Sequence, residues 1–254
     1  MATAILDQLS NWMAGGRGRR SHEAMFKLSN LPSRVQGHLS QVYAVLACAS
    51  LVTALGCYAH LMLNINGFLT QIGAFGCLLA LNWTPHSSGN MAKRLGYLGG
   101  FAFCQGAALG PLVGLALHVS PAVLVTACAS TAAVFMTFSL SALLTQRRSY
   151  LYLGGYLAAA TTGMLVMRLG SWMFGASALM YNMELYGGLL IFAAYILFDT
   201  QLIVERCFMG ETDVVRHALD LLVDLLAVFV RLLVLLLKRA EEERRREAER
   251  NKRR

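Results

Sequence analysis

The feature that most narrows the folds open to this chain is where its charges are missing. No Asp, Glu, Lys or Arg occurs between Arg34 and Lys93, between Arg94 and Arg147, or between Arg148 and Arg168. Surface-to-volume scaling leaves most segments of a small soluble domain partly wet, so charge-free runs of this length cannot all be buried core. Only 14% of the 254 residues are charged, where an average soluble domain has about 25%, and 56% are hydrophobic. The sequence therefore reads as an all-α membrane protein that crosses the bilayer several times.

A helix needs about 20 residues to cross the hydrocarbon core. Apolar runs of suitable length lie near 41–63, 66–83, 95–118, 122–145, 150–168, 183–203 and 214–237. Turn formers collect between them, at Asn64–Asn66, Thr84–Asn90, Ser120–Pro121 and Arg147–Ser149. Lipid offers no hydrogen-bond partner to the backbone, and the alternation of a barrel strand is absent, so the spans are helices. Their many small residues (Gly99, Gly100, Gly106, Gly110, Gly154, Gly155, Gly187, Gly188) suit close helix packing. The expectation is a bundle of six or seven transmembrane helices over 41–237. A segment 1–40 precedes it, and a charged, helical tail 238–254 follows it.

Charge also sets an orientation. Of the formal net charge of +8, residues 1–40 carry +3 and residues 238–254 carry +4, so the basic character belongs to the two ends. No nucleic-acid-binding motif accompanies it, and attraction to anionic lipid head groups accounts for it. The basic cluster Arg17, Arg19, Arg20 is not followed closely by an apolar run, so the first span reads as an uncleaved anchor. The loops with Lys93 and Arg94 and with Arg147 and Arg148 are basic, while those at 64–66 and 119–121 are uncharged. That alternation puts the N-terminus in the cytosol. Seven full crossings would then place the basic tail on the opposite side, against the same rule. The seventh run is also the polar one, so it is expected either to cross or to turn back as a re-entrant element.

Ionisable groups at membrane depth are costly and by default mark a pathway or relay. Asp199 lies about one turn from the end of the sixth run. His217, Asp220, Asp224 and Arg231 follow on the seventh at offsets that put all four on one helical face. The short connection near 204–213 holds the two helices side by side. Two or three carboxylates are thereby brought together, and a close pair cannot ionise fully without cost, so one member keeps a proton. When ionised, such a pair offers oxygen ligands to a divalent cation. Asp220 admits a second reading, a salt bridge to Arg216 or Arg231 near the surface. His60, His86 and His118 read as interfacial residues, Arg168 as a snorkelling side chain, and Glu184 as a charge facing a helix N-terminus. Gln105 reads as a cross-helix hydrogen-bond former. The six cysteines (Cys48, Cys57, Cys77, Cys104, Cys128, Cys207) contain no CxxC pair and read as small buried packing residues.

The run from Glu184 through Tyr195-Ile-Leu-Phe-Asp199-Thr-Gln201, then Gly210-Glu-Thr-Asp213 and His217-Ala-Leu-Asp220-Leu-Leu-Val-Asp224, resembles the Bax inhibitor family. Thr84-Pro-His86, Lys93-Arg-Leu-Gly-Tyr-Leu-Gly-Gly-Phe-Ala-Phe103 and Gly106-Ala-Ala-Leu-Gly-Pro111 agree with it, as does Arg147-Arg-Ser-Tyr-Leu-Tyr-Leu-Gly-Gly155. The likeness covers about residues 25–237. It implies an endoplasmic-reticulum membrane protein that suppresses cell death and lets calcium leak in a pH-dependent way. By motif match, the aspartates sharing a proton-sensitive hydrogen bond in the family's pore are Asp199 and Asp224. Asp220, His217 and Arg231 are auxiliary charged positions. In bacterial relatives a basic residue near the cytosolic end of the second span latches the pair, and the nearest counterparts here are Lys93 and Arg94, beyond a longer polar loop. The chain departs from the family in Gly210-Glu-Thr-Asp213-Val, where Gly-Asp-x-Asp-Tyr is frequent, and in mixing Glu with Arg in a tail that is often lysine-rich. The terminal Lys252-Arg253-Arg254 could act as a basic retrieval signal.

The resemblance implies no cofactor, with calcium as permeant ion, and implies membrane lipids, calcium and protons as partners, with oligomers open. A competing reading is a non-conducting adaptor for Bcl-2-type or other membrane partners. An intramembrane aspartyl hydrolase would need a Gly-x-Gly-Asp and a Pro-Ala-Leu motif, and neither occurs. A metal-dependent one would need clustered histidines, and His22, His38, His60, His86, His118 and His217 are scattered. The sequence reading is therefore not that of an enzyme.

Overall fold

A computed structural model of the protein describes residues 32–65, 67–145, 149–175 and 178–252. The cluster at Arg17, Arg19 and Arg20, the loop pair Arg147–Arg148 and the terminal Arg253–Arg254 lie outside them. The chain forms α1 (Ser33–Leu63), α2 (Gly67–Trp83), α3 (Met91–Val119), α4 (Pro121–Leu144), α5 (Leu153–Phe174), α6 (Ala178–Phe208) and α7 (Val214–Lys252), with a 3₁₀ turn at Ser88–Asn90. All seven apolar runs are helices. By length and apolarity α1, α3, α4 and α6 could each cross a membrane, and α2 is a shorter apolar helix. This is an all-α, multi-pass membrane protein.

Local chemistry accounts for the breaks. Asn64 takes a left-handed conformation (φ 48°) and its N–H caps the last turn of α1 on the His60 carbonyl. His60 Nδ1 meets the Ile65 carbonyl at 2.9 Å, so this histidine holds the turn rather than a metal. Ser120 is extended and Pro121 opens α4, where its missing N–H costs nothing. Gly210, at φ 96°, allows the α6–α7 reversal, and Asp213 caps α7 by accepting the Arg216 N–H at 3.1 Å.

Successive helices run up and down, giving two ends. The near end carries the starts of α1, α3 and α7 and the α6–α7 turn. The far end carries the α3–α4 turn, the start of α6 and the C-terminal part of α7. The most polar helix, α7, occupies the centre and packs on α1, α3, α4 and α6. Val215, Ala218, Leu221, Leu222, Val228 and Leu233 on it are fully buried. It does not turn back. Val214 to Leu237 is about 36 Å of continuous helix, longer than the ~30 Å hydrocarbon core. At the far end Lys238 donates to Asn182 Oδ1 (2.9 Å) and Arg244 to the Val119 carbonyl. The helix runs unbroken from the near end of the bundle to the far end. The composition change at 238 produces no break in the helix.

Around this axis, α2 packs only on α3 and α5 only on α6 among the described residues. Outward-facing Phe68, Phe75, Val125, Met136, Leu165 and Leu190 are exposed, as a lipid-facing surface requires, with Trp83 and Trp172 at opposite ends. Cys48 and Cys128 are also exposed, which corrects the expectation of buried packing cysteines. A helix-wide apolar run gives no sign of which face points outward, and only Cys207 is buried. A cavity of about 450 Å³ between α1, α3, α4 and α7 is lined by apolar side chains and holds no acidic residue.

Two glycines fix the α1–α3 seam. A Cβ on Gly56 would strike the Phe103 carbonyl, and one on Gly106 would strike the Thr53 carbonyl and the Cys57 N. The obstacles are backbone atoms, which cannot rotate aside. Gly106→Val should destabilise the protein by about 3 kcal/mol, the upper range for overpacking. Thermal unfolding in detergent should show a lowered Tm for Gly106→Val, whereas Gly76→Ala, at a site with open space around it, should leave it unchanged.

Candidate functional site

α6 and α7 bring Asp199 and Asp224 together on the wall of one cavity. Asp224 is 4% exposed, and its Oδ2 has no partner among the described residues. Asp199 is half-buried. The two carboxyls line a cavity of about 270 Å³ with Asp220, Leu78 of α2, Thr161 of α5, and Phe192 and Tyr195 of α6. Thr161 Oγ1 donates to Tyr195 Oη at 3.1 Å, tying α5 across the cavity to α6. The two helices with a single neighbour each, α2 and α5, thus both contribute to its wall.

The residues after Asp199 hold it in place. Thr200 Oγ1 lies 3.4 Å from Ser139 Oγ. Gln201 accepts the Tyr150 N–H (2.7 Å) and donates to the Ala142 carbonyl (3.2 Å). Buried polar groups of this kind are satisfied in one arrangement only, so they fix the depth and rotation of α6 against α4.

The auxiliary positions distribute differently from the sequence expectation. Asp220 faces Arg206 of α6 at 3.9 Å rather than Arg216 or Arg231. His217 turns away from the carboxylates and meets His38 of α1, Nδ1 to Nε2 at 2.9 Å, with rings edge to face. Arg231 lies at the far side of the dyad against Phe192. Lys93 is exposed. Arg94 is 3% exposed, but its partner is Asp213 (2.6 Å), with Nη1 donating to His86 Nδ1 at 3.1 Å. It therefore does not latch the dyad; it clamps the α6–α7 turn to the start of α3. The turn was the closer acidic partner, because Asp213 caps α7 at the level where α3 begins. Arg168 pairs with Glu184 at 3.1 Å, two turns inside α6 rather than at its start. Gln105 forms no cross-helix hydrogen bond among the described residues. No group of three His, Cys, Asp or Glu able to hold a metal ion occurs among them.

The clamp and the His38–His217 pair were missed in the sequence because their members are far apart along the chain. Arg94, His86, Asp213, His38 and His217 each appear in the sequence reading, but not as partners of one another. Burial pushes the Asp213 carboxyl up. The Arg94 hydrogen bond, the Arg216 N–H and the positive charge of Arg94 more than offset this and hold it below the usual carboxylate range.

Fold and site together define a multi-pass α-helical membrane protein with two carboxyl groups brought together by its last two helices. The chain belongs to the Bax inhibitor family: residues 35–241 match the family described as inhibitor of apoptosis-promoting Bax1. It is 39% identical to Bax inhibitor 1 of Arabidopsis thaliana over 241 residues, covering 94% of this chain and 96% of that protein. It is 40% identical to Bax inhibitor 1 of Homo sapiens over 225 residues (88% and 94%) and 42% identical to that of Rattus norvegicus over 216 residues (84% and 91%). The family's role is suppression of cell death, and it is generally not enzymatic.

Breaking a buried ion pair by removing one partner typically costs about 3–5 kcal/mol, less where a partner is partly exposed as Asp213 is. Arg94→Met should therefore lower Tm by the equivalent of about 3 kcal/mol. A depressed carboxyl stabilises above its unfolded-state value and loses that contribution only as pH falls through the lower folded value. The Tm loss of Arg94→Met should accordingly be the same at pH 7 and at pH 5, read by thermal shift in detergent.

Proposed function

We propose that this protein is a cell-death suppressor of the endoplasmic-reticulum membrane that mediates a pH-dependent calcium leak through the Asp199–Asp224 dyad. The observation carrying this reading is that two carboxyl groups face one cavity, one of them buried with an unpartnered oxygen. Two carboxylates in one low-dielectric cavity cannot both ionise cheaply, so the pair holds one proton. Losing that proton leaves like charges in contact beside Asp220, at several kcal/mol unless a cation or water enters. Calcium, a hard cation that takes carboxylate oxygens, fits such a site, and no resident cofactor is invoked. Proton occupancy and cation entry thus compete for the same atoms.

The orientation follows the loop charges rather than those of the tail. Arg34, Lys93, Arg94, Arg206 and Arg216 sit at the near end, which we place in the cytosol together with the N-terminus. With α7 traversing the bundle, its charged extension then lies on the lumenal side. Residues 241–251 of that extension are exposed, which favours a second contribution, contact with anionic lipid or with Bcl-2-type or other membrane partners. Self-association is compatible with either.

Calcium efflux from proteoliposomes tests the dyad. Asp224→Ala and Asp224→Arg should each change the flux, by about tenfold if they act on one titrating pair, and flatten its pH dependence. Unchanged flux and pH response in both would remove the dyad from the mechanism. Protease protection of the C-terminal extension in sealed microsomes checks the orientation, with shielding expected.

A further inference from the structure

Beyond the dyad, on the same face of α7, a second cavity of about 260 Å³ opens at the far end between α5, α6 and α7, lined by Arg168, Tyr181, Glu184 and Arg231. One contact joins the linings of the two cavities. The Arg231 guanidinium carbon stands 4.4 Å from the centroid of Phe192, whose ring also lines the dyad cavity. The guanidinium is fixed there: it donates to the Ala227 carbonyl at 2.9 Å, and Gly188 leaves the space its stem occupies, since a Cβ at 188 would collide with Arg231 Nε. Among the described residues it forms no ion pair, because Glu184 is taken by Arg168. Seven residues of helix put it about 10 Å from Asp224 along the axis.

We infer that Arg231, seated on Phe192, is a tethered cation closing the far-end approach to the dyad, and that it sets the selectivity of the leak by charge. The inference rests on the proposed pathway through Asp199 and Asp224. On this reading an ion moving from the far-end cavity to the carboxylates passes the Phe192 ring, and the guanidinium occupies the ring face that would otherwise attract it. Its repulsion scales with the charge on the ion, so a divalent ion meets twice the barrier of a monovalent one and the fold-effect on its flux is the square. A merely steric plug would hold back both by a similar factor.

The test is calcium and potassium flux through the full chain in proteoliposomes. Arg231→Met should raise calcium flux about tenfold and potassium flux about threefold, the square-root relation of the Coulomb term. Arg231→Lys, which retains the charge, should keep the wild-type ratio within about twofold. Arg231→Gln carries the same expectation as Arg231→Met and replaces it if that variant does not fold. An unchanged flux in the neutral variants, or an equal rise for both ions, overturns the role of Arg231 and leaves the dyad standing. Absence of calcium flux in the wild type, or an Asp224→Asn variant with wild-type flux and pH response, overturns the pathway and this inference with it.

Discussion

Asp224 is a group that can carry charge, on a helix that must cross an apolar solvent, and it can only be accommodated at the centre of the bundle. Exposing it to acyl chains would cost several kcal/mol, so the most polar helix has become the most enclosed one. The rest of the architecture follows. The purely apolar helices are pushed outward, where their side chains meet lipid without penalty. α6, bearing Asp199, is held directly against α7, and the small residues of α1 and α3 let the inner shell close around the axis.

The helices themselves were legible in the sequence because apolar length is a one-dimensional property. The short connection also predicted that Asp199 and Asp224 lie near each other, and both line one cavity. Other assignments failed for a common reason. A helical face fixes direction and says nothing about depth or about which neighbour stands opposite. Arg231 shares a face with Asp224 yet lies about two turns away and serves an aromatic ring. His217 shares it too, but α1 brings His38 within 2.9 Å, across 179 residues of sequence. Arg94, one of two nearest counterparts of a latch, meets Asp213 because the cap of α7 sits at the level where α3 starts. Whether the last segment crosses or returns was undecidable from charge alone, since the basic tail and the polar face argue opposite ways.

The Asp199-Thr200-Gln201 motif combines two duties in three residues. The aspartate enters the dyad while its neighbours fasten α6 to α4 and to the segment before α5. A carboxyl pair is sensitive to small displacements, and placing its anchors adjacent in sequence limits how far one aspartate can drift without breaking several hydrogen bonds. The clamp at Asp213 secures the other side of the turn, so both flanks of the α6–α7 connection are pinned.

The glycine seam between α1 and α3 has a consequence for how such a bundle can breathe. Where backbone touches backbone there is no side chain to repack, and that half of the wall behaves as a riveted plate. The peripheral α2 and α5 each lean on one neighbour, and both reach the dyad cavity through Leu78 and Thr161. Any widening of that chamber is therefore a swing of these two outer shutters. Bilayer thickness and lateral pressure, which act on the outermost helices first, are the forces best placed to move them.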